Sequence, residues 1–307
     1  MNGQTVSAMP ESVLRARSYA KINLYLDVLG RRDDGYHNIE TVFQTVGLYD
    51  ELAFRADERF LTLTCSNPAL EITPRNLVIR AAHVLRERCG CKCGAVISLD
   101  KKIPLAAGLA GGSGNAAATL AALNELWKLH LDSATLERIG LELGSDVPYC
   151  LRGGTVAATG RGERMAPLEA LDGVWFVLVH PPFPVSTQWV YSHPDLGHNE
   201  ERPQNGWTPS FRAAIARLQE RDRSASIFNR MEPVVFQQHP ALREIKQALL
   251  DGGCEAAAMS GSGPTMFGIC SSMERARAAA SGIRDYPTSV VATVGRGIEI
   301  DPSCGDG

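Results

Sequence analysis

The stretch PLAAGLAGGSGNAAA, residues 104–118, decides how the rest of the chain is interpreted. Four of the seven residues from 108 to 114 are glycine, and an alanine-rich run follows them. Glycine has no Cβ, so a ligand can approach the backbone closely, and positive φ angles can turn several amide N–H groups toward one point. Such a loop before a helix N-terminus binds anions, usually phosphate, because orphan N–H groups and the helix dipole favour negative charge. We therefore predict an anion site at the start of a helix over residues 115–129, with a closely packed strand-to-helix turn as the alternative.

Two familiar phosphate loops do not fit this stretch. A Walker A loop needs lysine after its last glycine, but Gly112 is followed by Ser-Gly-Asn. Gly112, Gly114 and Ala117 satisfy the looser glycine pattern of dinucleotide sites, whose loop closes a βαβ unit with an acid on the next strand. Here the apolar spacing predicts a second helix after the first, so nicotinamide binding is disfavoured.

The flanking sequence predicts an alternation of strands and helices. Period-two alternation over residues 18–30 indicates a half-buried strand, and the turn chemistry of RRDDGYH predicts a hairpin to a second strand at residues 39–48. Further helices are predicted at residues 74–88 and 133–144, the latter N-capped by Ser133 and closed by Gly144. Beyond residue 184 a polar connection follows, so a domain change is predicted nearby, before further α and β units.

Composition excludes several classes of protein. The 307 residues carry a net charge of −3, which gives no electrostatic footprint for nucleic acid. The first 21 residues contain no signal-peptide core and no run of eighteen apolar residues occurs, so we expect a cytoplasmic protein without a membrane partner. Eight cysteines fit a reduced compartment, and the alternate spacing of Cys89, Cys91 and Cys93 is not that of a zinc site.

Two charged residues far from the loop could serve an anion site. Asp146 follows a helix in GSDVP, and the plain interpretation is an N-cap for the next turn. Lys21 lies in the apolar strand, with Asn23 on the same face, and a lysine there ordinarily reaches solvent. Only their convergence on the loop would indicate catalysis.

Three segments together resemble the motifs of the GHMP kinases, small-molecule kinases unrelated to the P-loop and protein-kinase folds. The segments are AKINLYLDVLGRRDDGYH, PLAAGLAGGSGNAAA and MSGSGPTMFGI, in the family's order and at roughly its separations. The DGYH turn and GSDVPYCLRGGTVAATGRGE are similar to members that pass phosphate from ATP to a hydroxyl on the erythritol part of a cytidine diphosphate alcohol, in non-mevalonate isoprenoid synthesis. The resemblance implies an α+β fold: a ribosomal-protein-S5-like ATP-binding domain, residues 1–172, and a ferredoxin-like substrate-binding domain, residues 173–307, with the site in the cleft between them.

The resemblance also implies roles for individual residues. Lys21 and Asp146 match the catalytic pair. Tyr36 is expected to stack on the cytosine, His37 to hydrogen-bond it, Tyr191 to cover its other face, and Asn23 to contact substrate. Mg²⁺ is expected near Ser113. The implied nucleotide-binding residues are Pro104, Leu105, Ala106, Ala107, Gly108, Leu109, Ala110, Gly111, Gly112, Ser113, Gly114, Asn76 and Asn115, with helix capping as the alternative for the two asparagines.

The loop departs from many members of the family. Ala106, Ala110 and Gly114 stand where Gly, Gly and Ser are common, so a hydroxyl near the phosphates is missing and positive φ is restricted at the alanines. Two other functions stay open: a GHMP kinase for homoserine, mevalonate or a sugar, and a ligand-binding relative without catalysis. The protein is expected to be a monomer or a homodimer.

Overall fold

The computed structural model describes residues 13–199, 206–222, 224 and 226–301, and within them it forms two sheets with helices. The predicted hairpin opens the fold: β1 (Leu14–Arg31) and β2 (His37–Asp57) pair antiparallel across the DDGY turn. The other strands of this sheet are β3 (Leu61–Cys65), β4 (Gly94–Asp100), β5 (Thr155–Gly160), β6 (Arg164–Pro167), β8 (Phe228–Asn229) and β12 (Ile298–Asp301). The order is β12-β1-β2-β4-β3. In addition, β5 pairs with β2, β6 pairs with β5, and β8 pairs with β1.

The second sheet is antiparallel and follows the βαββαβ pattern of ferredoxin-like domains. Its strands are β7 (Trp175–Val179), β9 (Ala256–Met259), β10 (Met266–Cys270) and β11 (Thr288–Ala292), in the order β11-β7-β10-β9. The helices of the described chain are α1 (Leu77–Cys89), α2 (Gly111–Leu126), α3 (Ser133–Leu143), α4 (Val147–Arg152), α5 (Thr187–Ser192), α6 (Pro209–Gln219), α7 (Glu232–Gln238), α8 (Ala241–Asp251) and α9 (Met273–Ser281). The α+β class is therefore as predicted.

The two sheets share a hydrophobic core. Ile22 and Leu24 of β1 belong to the same buried cluster as Phe176 of β7 and Phe267 of β10. The alternate side chains of β7, such as Val177, lie in a second cluster with α8 and α9. Since β8 and β12 follow residue 173 yet pair with β1, chain segments from both predicted domains build the first sheet. The division at residues 172 and 173 stays a prediction.

The prediction that β1 is half-buried is wrong. Lys21 and Asn23, on the polar face, are 5% and 3% exposed, so this face is buried nearly as completely as the apolar face. The cause is that loops cover this face: the Lys21 N–H donates to the Leu109 carbonyl in the glycine-rich stretch at 3.2 Å. The polar side chains of β1 therefore point into the interior of the site.

Two helix boundaries also correct the sequence analysis. Helix α2 begins at Gly111, four residues before the predicted start, so the last glycines form its first turn. Helix α3 is N-capped by Asp132, whose carboxylate accepts the Thr135 N–H at 2.8 Å, while Ser133 is its first residue. Gly144 does close α3, as predicted. The polar connection is predicted at residues 193–210; α6 begins within it at Pro209, and residues 200–205 lie outside the described chain.

Two further findings concern the composition. None of the helices in the described part of the chain has the length and apolar character that crossing a membrane requires. Cys89, Cys91 and Cys93 are unbridged.

Candidate active site

A cavity of about 1260 Å³ brings together the three segments that the sequence analysis singled out. Lys21 of β1, residues 104–113 of the glycine-rich stretch, and Gly261 with Ser262 of the third segment line it. Asp146 lines it as well, at the start of α4. Segments that are remote in sequence therefore share one cavity.

The first turn of α2 faces this cavity with backbone donors that have no partner among the described residues. Gly114 is the first residue whose N–H is paired within the helix, to the Ala110 carbonyl at 2.8 Å, so the amides of residues 111–113 are left for a ligand. A Cβ at Gly111 would lie 2.9 Å from Lys101 Nζ, so only glycine fits there without a shift of that side chain. The geometry is that of an anion site.

The alanines that depart from the family adopt the backbone of glycine. Ala106 has φ of 50° and Ala110, the N-cap of α2, has φ of 54° and ψ of 27°. The left-handed region costs an L-residue about 1–2 kcal/mol, so the loop keeps the turn at an energetic penalty. Both alanines therefore adopt a backbone conformation that glycine would adopt without this penalty.

We expect Ala106→Gly to raise the free energy of unfolding by about 0.5–1 kcal/mol, because relief of strain exceeds the added entropy of the unfolded chain. Ala106 is exposed, so little packing is lost. Urea titration measures the change, with Ala278→Gly on the exposed face of α9 as the control, which should lose about 1 kcal/mol. A loss at both positions would show that Ala106 is unstrained.

Gly114 is the one predicted loop residue that does not line the cavity. It is buried, and a Cβ there would collide with the Ser18 hydroxyl of β1. Gly114 therefore serves the close packing of α2 on β1. A serine at this position would need Ser18 to move.

A buried carboxylate that the sequence analysis missed fixes both ends of the loop. Asp50, fully buried in β2, accepts hydrogen bonds from Lys101 Nζ at 2.6 Å and from the N–H groups of Lys102 and Ile103 at 2.7 and 2.8 Å. Its Oδ2 also accepts the Asn115 Nδ2 donor at 2.9 Å. Burial lowers the pKa of Lys101, and the Asp50 charge acts in the opposite direction. Asp50 thus ties the residues before the loop to the second turn of α2.

The side chains of Asn76 and Asn115 are both engaged within the protein. Asn76 caps α1, because its Oδ1 accepts the Val78 N–H at 3.0 Å and its Nδ2 donates to the Glu71 carbonyl at 3.1 Å. The capping alternative is therefore confirmed for Asn76, whereas Asn115 binds Asp50. Both residues line the cavity, and direct nucleotide contacts from them stay predictions.

Lys21 does not reach solvent. Its Nζ donates to Asn23 Oδ1 at 2.7 Å, lies 3.8 Å from Asp146 Oδ2 and sits 5.4 Å from the centre of the Phe43 ring. The side chain of Lys21 is 6% exposed and that of Asp146 is 32% exposed, so the ammonium is held inside while the carboxylate opens to the cavity. The ordinary interpretation of a lysine in a strand is thereby excluded.

Asn23 orients the Lys21 ammonium. Thr41 Oγ1 donates to the Tyr25 carbonyl at 2.6 Å, so it must accept from Asn23 Nδ2, which lies 2.8 Å away. This leaves the carbonyl oxygen of Asn23 toward Lys21. Asn23 lines the cavity, and its predicted substrate contact would come in addition to this internal role.

Asp146 occupies the N-cap position of α4 without acting as a cap. Its backbone is already helical, with φ of −84° and ψ of −14°, and its side chain makes no capping hydrogen bond. The carboxylate is therefore free to face Lys21. Burial raises the pKa of Tyr191, and the Asp146 charge adds to this effect, so the negative potential of the carboxylate reaches that ring.

The third segment closes the site from the second sheet. Gly261 has φ of 58°, and a Cβ there would stand 3.5 Å from Lys21 Nζ. The Ser260 hydroxyl donates to the Gly108 carbonyl at 2.9 Å, and Asn229 Nδ2 donates to the Gly261 carbonyl at 2.8 Å. No site residue of this segment was predicted from the sequence, although its glycines were the available signal.

The aromatic residues predicted to read a base lie around His37. The rings of His37 and Tyr191 stack with centroids 5.0 Å apart, and Tyr36 is 53% exposed with the Arg161 guanidinium 4.5 Å from its centroid. Burial lowers the pKa of His37, as does the nearby positive charge of Arg31, so the ring is neutral at pH 7 and offers one donor and one acceptor. Tyr191 thus contacts His37, while the predicted base contacts stay predictions.

The cavity offers oxygen ligands of the kind that Mg²⁺ prefers. Ser113 and Asp146 both line it. The Asp146 carboxylate does not cap α4, and the Ser113 hydroxyl makes no hydrogen bond within the described residues. Mg²⁺ usually takes one or two protein oxygens and completes its shell with phosphates and water. The described chain brings no three His, Cys, Asp or Glu side chains together as a metal cluster. The donor set fits Mg²⁺ that arrives with phosphates.

Comparisons with known proteins match the whole architecture. The family described as GHMP kinases N terminal domain matches residues 76–154, and GHMP kinases C terminal matches residues 209–287. A protein of Moorella thermoacetica named 4-diphosphocytidyl-2-C-methyl-D-erythritol kinase is 44% identical over 283 residues, 91% of this chain and 98% of that protein. One of the same name from Pelotomaculum thermopropionicum is 43% identical over 92% of this chain and 97% of its own length.

Solved structures agree with these relatives. The crystal structure of a 4-(cytidine 5'-diphospho)-2C-methyl-D-erythritol kinase superposes with a TM-score of 0.74 at 33% identity, covering 92% of this chain and 100% of the other. A homoserine kinase from Cytophaga hutchinsonii superposes with a TM-score of 0.71 at 21% identity, covering 97% and 100%, and shows the fold alone.

Proposed function

The chain belongs to the 4-diphosphocytidyl-2-C-methyl-D-erythritol kinases of the GHMP kinase family, and from that premise we propose that Lys21 and Asp146 are its catalytic pair. The protein is a small-molecule kinase. It transfers phosphate from ATP to a hydroxyl of 4-diphosphocytidyl-2-C-methyl-D-erythritol in the non-mevalonate route to isoprenoid precursors. The observation that carries the proposal is the 3.8 Å approach of Lys21 Nζ to a carboxylate that caps no helix.

Phosphoryl transfer asks the protein for alignment and charge neutralisation rather than for covalent chemistry. In our proposal the unpaired amides of residues 111–113 bind the triphosphate, which the dipole of α2 favours. Asp146 orients the acceptor hydroxyl and takes its proton. Lys21 donates to the developing oxyanion.

In this proposal Mg²⁺ would be held by the Ser113 hydroxyl together with the phosphates. When bound, it would neutralise charge on the phosphate oxygens. The protein's own part is to hold the hydroxyl of Ser113 at the first turn of α2 and the carboxylate of Asp146 toward the cavity. The hydrogen bond from Asn115 to Asp50 fixes the start of α2 and so helps to keep Ser113 in place.

Substrate choice is proposed to come from Tyr36, His37 and Tyr191. Stacking on an aromatic ring tolerates any base, so the neutral His37 must discriminate through hydrogen bonds. Tyr191 would keep its contact with His37 and cover the face of the cytosine that Tyr36 leaves open. Asn23 would combine its hold on Lys21 with a substrate contact.

An ADP-release assay tests the function directly. Mg-ATP is supplied with the cytidine diphosphate alcohol, homoserine, mevalonate or galactose in separate reactions. We expect turnover with the first and none above background with the others. Turnover with any of the other three and none with the first would identify a different GHMP kinase, and no turnover with any would favour a ligand-binding relative. Cytoplasmic location and assembly as a monomer or homodimer stay predictions.

A further inference from the structure

A second group of positive charges lines the cavity around His37. Strand β2 lies between β1 and β5. Arg31 of β1 pairs with His37 of β2, and Gly160 of β5 pairs with Ile39 of β2. Arg161 follows Gly160 directly, so the sheet brings one arginine to each side of His37. Both arginines line the cavity. This group is separate from Lys21 and Lys101, which lie beside the glycine-rich loop.

The turn that carries Arg161 is fixed by its own contacts. Gly160 and Gly162 adopt φ of 75° and 106°, and the Glu163 carboxylate accepts the Arg161 N–H. A Cβ at Gly162 would lie 3.4 Å from the Phe43 ring, so the turn packs down on β2. The Glu163 carboxylate is thus engaged with the backbone of the turn, and Arg161 lines the cavity.

The Arg161 guanidinium is unusual in its partners. It lies over the Tyr36 ring, 4.5 Å from the centroid, and no carboxylate of the described residues forms an ion pair with Arg161 or Arg31 within 4.0 Å. By contrast, Arg32 in the same region pairs with Asp34 at 3.0 Å. The pKa of Asp34 is lowered mainly by its hydrogen bond to Arg32, and the charge of Arg161 adds to this effect. Arg161 therefore keeps its planar donor fork for a ligand.

We propose that Arg161 binds the diphosphate bridge of the cytidine substrate, with Arg31 adding positive charge from the other side of His37. The inference rests on the proposed function, which puts the base at Tyr36 and His37. A 5'-linked diphosphate stands next to its nucleoside, so its charge falls beside whichever residues hold the base. The guanidinium fork matches two phosphate oxygens at once, and guanidinium is more weakly hydrated than an ammonium, so it is a suitable partner for this bridge.

The test separates the diphosphate from the base by using cytidine and CDP as probes. Binding of each is measured by calorimetry, with the glycine-rich loop saturated by a non-hydrolysable ATP analogue so that CDP cannot occupy it. Arg161→Gln is compared with the wild type and with Arg164→Gln, a control in the same hairpin that is 75% exposed and lies outside the cavity. We expect Arg161→Gln to weaken CDP binding about 10-fold or more, equal to about 1.4 kcal/mol, and to leave cytidine binding within about 2-fold.

Every other result of the binding experiment rejects either this inference or the proposed substrate. Equal losses for CDP and cytidine would mean that Arg161 acts only by supporting the Tyr36 ring, and unchanged CDP binding would mean that it does not contact the diphosphate; either result rejects the inference while the proposed function stands. Failure of the wild type to bind cytidine and CDP at all would reject the proposed substrate itself. In steady-state assays, Arg161→Gln should raise KM for the cytidine substrate about 10-fold at unchanged kcat and unchanged KM for ATP.

Discussion

Replacement of Asp146 by asparagine is expected to lower kcat roughly 1000-fold, in the middle of the range for loss of a general base, while ATP affinity changes little. Asparagine keeps the size of the side chain but cannot accept the proton of the acceptor hydroxyl. The fold should survive, because the carboxylate makes no capping hydrogen bond and is 32% exposed. The rate is measured by ADP release and the ATP affinity by calorimetry.

The matched control for this variant is Asp132→Asn. Asp132 does cap a helix, through the Thr135 N–H, and does not line the cavity. It should keep its kcat and most of its stability, because asparagine caps a helix about as well as aspartate does. A kcat near that of the wild type in Asp146→Asn would remove Asp146 from the mechanism.

Replacement of Lys21 by methionine has the second-largest expected effect, a fall in kcat of roughly 100- to 1000-fold, typical for loss of a preorganised charge at a reacting oxygen. Methionine occupies the volume of the lysine stem without placing an unpaired charge in the interior. Within the described part of the chain, the substitution leaves the buried Asn23 Oδ1 unpaired, which costs about 1–3 kcal/mol of stability. Thermal unfolding separates that cost from the loss of rate.

The control for Lys21 is Lys102→Met, an exposed lysine that lies outside the cavity and should keep its kcat. If Lys21 and Asp146 act as a unit, the variant that carries both substitutions should be about as slow as Asp146→Asn alone. Multiplied losses in the double variant would mean that the two residues act independently. A Lys21→Met enzyme as fast as the wild type would exclude Lys21 from catalysis.

The glycine-rich stretch shows how far sequence reasoning reaches. The four glycines before an alanine-rich run correctly predict backbone amides at a helix start. Few other structures require so many residues without a Cβ. The sequence predicts a start at Asn115, four residues late, because glycine is a poor helix former and is typical of loops. In the structure these glycines form the first turn of α2, where a Cβ at Gly111 or Gly114 would meet Lys101 or Ser18, so close packing of the helix requires glycine despite its low helix propensity.

The charged residues mark the limit of local patterns. Lys21 looked like a surface lysine and Asp146 like a cap, and only the family resemblance brought them to one site before the structure did. Asp50 had no signal at all, since its burial depends on Lys101 and Asn115, which approach it from separate elements. Likewise, no spacing rule indicates that Arg161 lies over Tyr36, because the contact depends on the order of β1, β2 and β5.

A structure of the protein with a non-hydrolysable ATP analogue and 4-diphosphocytidyl-2-C-methyl-D-erythritol tests the central claim most directly. The distances to measure run from the acceptor hydroxyl oxygen to the Asp146 carboxylate, to Lys21 Nζ and to the terminal phosphorus. We expect the hydroxyl within hydrogen-bond distance of both side chains, about 2.6–3.2 Å, and in line with the terminal phosphate above the first turn of α2. A hydroxyl held by other side chains, out of reach of Asp146, would contradict the claim.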